Sequence, residues 1–188
     1  MHRPIMALAF ATALTISACA GGQGRQRRAS HASIRVLPCR ETIGNEAPGR
    51  GMTVALGVVG LPASPRMRRA LQTALTGSHD PTARLFAKWG LVIRAGADFQ
   101  LIVPSQLRGR ASIGWGNADE GHVGDTIVAH GCRGRQGGGW LDFAGGYWVR
   151  SPICLPLTVA ADGRRRRLSI GIGTGCTGQL PPPQPTQS

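Results

Sequence analysis

The sequence predicts an all-β domain, an antiparallel β-sandwich of about eight short strands with at most one short helix, a closed β-barrel being the alternative. Two observations lead there. Apolar residues recur with period two along much of the chain, and Gly, Pro and Asp punctuate these runs at short intervals. Four cysteines, Cys39, Cys132, Cys154 and Cys176, remain as an even set once a fifth near the N-terminus is set aside.

The elements follow in chain order. Val54, Leu56 and Val58 alternate with Thr53, Ala55 and Gly57, which reads as one strand over 52–59. Ser64-Pro65 offers a cap and a proline at a first helical position, and Met67, Leu71, Ala74 and Leu75 form a stripe ending before Gly77. This is the one helix expected, with a loop plus a strand at 71–76 as its alternative. Segments 85–94, 98–103 and 111–115 read as strands, the second with Phe99, Leu101 and Val103 on one face. Trp140–Phe143 and Tyr147–Val149 flank Gly145-Gly146, where a bulge in one longer strand is preferred over a tight turn. The clearest hairpin puts Leu155, Leu157 and Val159 opposite Leu168, Ile170 and Ile172 across a turn at Asp162-Gly163, so that Pro156 marks an edge strand or a bulge.

The ends of the chain differ from this middle. A basic start, an apolar run from Ile5 to Ile16 and an abrupt polar switch have the layout of a secretory leader, too short to span a bilayer. Ile16-Ser17-Ala18-Cys19 resembles the lipobox of bacterial lipoproteins, which implies cleavage before Cys19 and diacylglycerol on its thiol. Ala18-Cys19-Ala20 also fits ordinary secretory cleavage, the alternative. The organisation expected is a leader at 1–18, a flexible basic tether at 19–33 carrying Arg25, Arg27 and Arg28, a single domain at 34–177, and a disordered proline-rich tail at 178–188. The location expected is extracytoplasmic, on the membrane through Cys19 or, in the alternative, freely secreted.

An exported chain with four cysteines is expected to form two disulfides, with Cys132–Cys154 and Cys39–Cys176 weakly preferred among the three possible connectivities. Structural zinc is disfavoured because no CxxC knuckle occurs. The net charge of +13 is carried almost wholly by arginine, Lys88 being the only lysine. Such a surface attracts anionic headgroups and wall polymers, while export argues against nucleic acid as a partner. Arg164, Arg165, Arg166 and Arg167, just after the predicted turn, are candidates for phosphate or carboxylate binding; a solvated turn that blunts an exposed edge is the simpler reading.

Other chemistry is weakly signalled. Trp140, Tyr147 and Trp148 are candidates for stacking on sugar rings, although adjacent residues of a strand face opposite ways. Asn117, Asp119, Glu120 and Asp125 form a weak Ca²⁺ candidate loop, out of order for an EF-hand. Arg110-Ala111-Ser112-Ile113-Gly114 fails as a nucleophile elbow, and Gly171-Ile172-Gly173-Thr174-Gly175 lacks the following helix that a phosphate loop needs. His79 and His130 have no visible partner. No catalytic residue and no cofactor are expected.

Phe86-Ala87-Lys88, Gly114-Trp115-Gly116, 144–149, Pro152-Ile153-Cys154 and Gly171-Ile172-Gly173 with Cys176 resemble a group of uncharacterised actinobacterial exported lipoproteins. That group implies no activity. The function expected is a non-catalytic cell-envelope lipoprotein binding an anionic envelope polymer or an envelope protein. A carbohydrate-binding module and a small secreted hydrolase are the alternatives.

Overall fold

The computed structural model describes residues 32–80, 82–118, 122–134 and 139–183. The leader, Cys19, the tether up to residue 31, Asp119, Glu120 and residues 184–188 lie outside the described residues. Fourteen short strands run in chain order: β1 (Ile34–Val36), β2 (Thr42–Gly44), β3 (Thr53–Ala55), β4 (Val59–Leu61), β5 (Ala74–Leu75), β6 (Leu85–Lys88), β7 (Leu91–Arg94), β8 (Phe99–Ile102), β9 (Ala111–Trp115), β10 (Thr126–Ala129), β11 (Trp140–Phe143), β12 (Gly145–Val149), β13 (Ile153–Ala161) and β14 (Arg164–Ile172). Two single-turn 3₁₀ helices, at Cys39–Glu41 and Ser105–Leu107, interrupt them.

The strands form three sheets, ordered β1-β10-β8-β13-β14, β2-β11-β7-β4-β3 and β5-β6-β12-β9. Every pairing is antiparallel except β1 with β10. The all-β expectation holds, and with no sheet closed on itself the barrel alternative falls away. Alternate residues of the sheets meet in one core, to which Phe143, Tyr147, Leu101, Leu155, Leu157 and Ile170 each contribute a side chain with essentially no exposure. No helix among the described residues is long and apolar enough to cross a membrane.

The long strand expected at 85–94 exists in register but not in one plane. Leu85 opposite Val149 through Arg94 opposite Trp140 is one unbroken antiparallel alignment, yet β6–β12 and β7–β11 belong to different sheets. Both chains bend where the Trp89 N–H donates to the Gly145 carbonyl, and the ribbon turns a corner around the core, as orthogonal sheet packings do. The feature at Gly145-Gly146 is therefore this corner rather than a bulge, since no residue is added to the register. Glycine is required there because a Cβ on residue 146 would lie 2.1 Å from the Ala87 carbonyl oxygen.

The hairpin expected at the C-terminal end forms with Leu155 opposite Ile170 and Leu157 opposite Leu168. Asp162 (φ 49°) and Gly163 (φ 69°) adopt the left-handed conformations of a twist-matched two-residue turn. Pro156 sits where β13 has β14 on one side only, because β8 pairs just with Thr158–Ala160.

Two expectations are corrected here. Segment 52–59 is a hairpin, β3 and β4 joined through Leu56 (φ 51°) and Gly57 (φ 76°), with Thr53 and Ala55 inside and Val54 outside. The helix at 64–77 is absent. Its backbone instead satisfies its hydrogen bonds on neighbours: Ser64 bridges Ser169, Leu71 bridges Ile172 and Arg69 bridges Leu180, leaving Ala74 and Leu75 exposed in β5. Tertiary pairing along an open strand edge outweighs the modest helical preference of this stretch.

Both disulfides form, but in neither preferred pairing: Cys39 joins Cys132 and Cys154 joins Cys176. Cys154 and Cys176 flank the hairpin, β13 and β14 bringing Cys154 opposite Gly171 and so beside the turn that carries Cys176. The β1–β10 pairing brings Cys39 beside the end of β10, where Cys132 follows. The domain also extends past its expected boundary at 177. Gln179 donates through Nε2 to the carbonyls of Met67 and Arg69, and the Leu180 N–H donates to the Arg68 carbonyl, so the tail is docked at least to Pro183.

Candidate functional site

The arginine run occupies the first four residues of β14, each exposed, in a strand that pairs with β13 on one side. Further along, the other edge of β14 is covered at Ser169 by Ser64 and at Ile172 by Leu71. Arg164–Arg167 thus mark the stretch of this edge left open. A row of free backbone groups there invites another strand, and four bulky charges oppose it.

Strand parity divides the run. Arg164 and Arg166 fall on the face that carries Leu168 and Ile170, and the Arg166 guanidinium donates to the Val54 carbonyl at 3.4 Å. Arg165 and Arg167 fall on the outer face. Register carries that face across the sheet: Arg167 is opposite Thr158, Thr158 opposite Ile102, Ile102 opposite Thr126, and Thr126 opposite Ile34. Exposed Ile34 and Val36 at one edge therefore share a surface with Arg165 and Arg167 at the other, about 19 Å away at four strand spacings. Period two identifies faces within a strand, but only register between strands reveals this shared surface.

No arginine of the run is in an ion pair among the described residues, where the ion pairs are Arg40–Glu41 and Arg108–Asp125. A cleft of about 410 Å³ adjoins the hairpin tip, with Arg164, Arg165, His130 and Gln100 in its wall together with the two carboxylates Asp98 and Asp162. Arg167 is not in that wall and stands opposite Thr158.

The remaining candidates are not brought together. Tyr147 is fully buried, its ring edge-on to Trp115, and Trp148 is 4% exposed against Phe86 at 4.4 Å between centroids. Neither offers a free ring face, which corrects the stacking platform; strand alternation sends them to opposite sides, and both sides are filled. Trp140 is half-buried with the Arg94 guanidinium 4.7 Å from its centroid. Burial pushes the Tyr147 phenol above its ordinary range, and its hydroxyl has no hydrogen-bond partner.

Of the Ca²⁺ candidates, Asn117 donates to Glu41 and Asp125 is buried beside Arg108, with Nε 2.9 Å from Oδ2. The two are thus committed to different partners, and no group of three metal-ligating side chains occurs among the described residues. Ser112 lies mid-strand in β9 opposite Trp148, not on a turn. His79 and His130 are exposed and make no hydrogen bond to a carboxylate. The glycine run at 171–175 closes β14 as a strand end.

No protein-family model matches the chain, and no curated protein and no solved structure matches it either.

Proposed function

We propose that this chain is a non-catalytic protein of the bacterial cell envelope, held at the membrane by lipid on Cys19, whose β domain binds an anionic envelope polymer through Arg164–Arg167. The observation that carries the reading is the exposure of these four arginines on the open end of β14, none of them in an ion pair among the described residues. Guanidinium forks bind phosphate and carboxylate bidentately, and charges outside any ion pair need not break one to do so. The two disulfides fit an oxidising, extracytoplasmic compartment. The net charge of +13 adds long-range attraction.

The test uses the domain from residue 32 onward, without lipid, titrated with inorganic polyphosphate and with a neutral glucan. The expected result is binding to polyphosphate alone, weakening at least roughly tenfold between about 50 and 200 mM salt as counterions are released. Replacing all four arginines by alanine should abolish most of that salt dependence. Binding that keeps its strength in the alanine variant would reject the arginine edge. Separately, the intact mass of the mature native protein should correspond to a chain starting at Cys19 with diacylglycerol; a lipid-free start at Gly21 would remove the anchor from the reading.

A further inference from the structure

A second cleft lies away from the arginine edge. It is a groove of about 880 Å³, a size suited to small ligands. One wall is the extended segment 67–74, which crosses between the end of β14 and the docked tail. The other is β6 with the corner residue Trp89. Pro182 and Pro183 form a rim, fixed by the Gln72 amide donating to the Pro183 carbonyl at 3.0 Å.

The floor is apolar. Leu71 is 5% exposed, Met67, Phe86 and Trp89 are half-buried, and Phe86 is backed by the packed ring of Trp148. Two cations, Arg69 and Lys88, stand in the lining, and among the described residues no carboxylate does. The Trp89 indole N–H is buried without a partner, so the ring meets the groove through its carbon surface.

We propose that this groove binds a single-chain anionic amphiphile, its alkyl tail lying on Leu71, Phe86 and Trp89 and its carboxylate or phosphate head held by Lys88 and Arg69. Apolar length with one-sided positive charge matches that ligand class and opposes both a neutral sugar and a cationic peptide. The proposal is independent of the arginine edge, which lies on other strands.

Decanoate is the probe, used below its micellar concentration and followed by calorimetry and by the indole N–H resonances, with the Trp89 signal assigned through Trp89→Phe. Saturable binding that shifts the Trp89 resonance, while acetate and decanol bind at least tenfold more weakly, is the expected result. Lys88→Glu, an exposed position that leaves the core intact, should weaken decanoate roughly tenfold, the scale of one charge-assisted contact. Decyl phosphate should behave as decanoate does. Non-saturable binding, an unmoved Trp89 signal, or equal affinity in Lys88→Glu would each overturn the groove as an amphiphile site. The Arg164–Arg167 alanine variant should bind decanoate as the parent does.

Discussion

Tyr147 stands edge-on to Trp115, their ring centroids 5.4 Å apart, with its hydroxyl sealed in the core and bonded to nothing. The ring fills the core while the hydroxyl adds an unrecovered desolvation cost. Tyr147→Phe keeps the ring and removes that cost, so it should raise unfolding stability by up to about 1 kcal/mol. Chemical denaturation of the two proteins measures the difference. A loss of similar size would mean that the hydroxyl is satisfied in solution.

The same residue predicts an alkaline instability. An unfolded tyrosine ionises near 10.0, whereas burial holds the folded phenol above that value. Above pH 10 the unfolded chain loses a proton that the folded chain keeps, so stability falls as pH rises, by about 1.4 kcal/mol per unit. Tyr147 is the only tyrosine of the chain, which makes absorbance a clean monitor. Tyrosinate should appear together with loss of fold, and Tyr147→Phe should flatten the stability profile above pH 10. Tyrosinate forming in an intact domain would contradict this.

Gly146 reports on the corner. A methyl group there would meet the Ala87 carbonyl at 2.1 Å and Phe86 at 2.8 Å, contacts that only a backbone shift can relieve. Gly146→Ala should therefore cost more than about 3 kcal/mol, whereas Gly49→Ala, with nothing within 4 Å, should cost less than about 0.5. Equal melting temperatures for the two variants would show that the ribbon does not bend so tightly.

How far the sequence carried depends on which interactions set each element. The β13–β14 hairpin was legible because alternation and an Asp-Gly turn point to the same register. The β3–β4 hairpin was not, since its turn places Leu56 at positive φ, where leucine is seldom found and tertiary packing must hold it. The stripe from Met67 to Leu75 looks helical by spacing, but its backbone hydrogen bonds run to Gly171, Gly173 and Leu180, partners that no local pattern announces. Likewise the exposure of Arg164–Arg167 was readable from their chemistry, whereas the shared face with Ile34 and the groove over Phe86 depend on register and on the docked tail.

The disulfides make unequal contributions in the chain-entropy account. Cys39–Cys132 spans 93 residues and Cys154–Cys176 spans 22, which corresponds to about 4.5 and 3.5 kcal/mol. Replacing the first pair by serine should lower stability more than replacing the second, and peptide mapping without reduction should recover these two pairs. A crossed pairing, Cys132 with Cys154, would require β10 and the start of β13 to lie side by side, which the sheet order excludes.

The arginine edge can serve solubility, anion binding, or both, and strand parity separates the two. Any four charges on the open end of β14 discourage a second strand, whichever face they occupy. Of the four, Arg165 and Arg167, which share the outer face, carry more of the polymer binding, because Arg166 on the other face is engaged by the Val54 carbonyl. Arg165→Glu with Arg167→Glu should therefore weaken polyphosphate binding by roughly a hundredfold, the scale of two lost charge-assisted contacts, and leave the domain monomeric. Arg164→Glu with Arg166→Glu should weaken it severalfold less. Threonine at all four positions should abolish binding and also promote self-association, visible as concentration-dependent sedimentation. If the two glutamate pairs weakened binding equally, the anion would be reading net charge rather than a face. If the threonine variant stayed monomeric at every concentration, the covering segment at Ser64 and Leu71 would be sufficient to close the edge without the arginines.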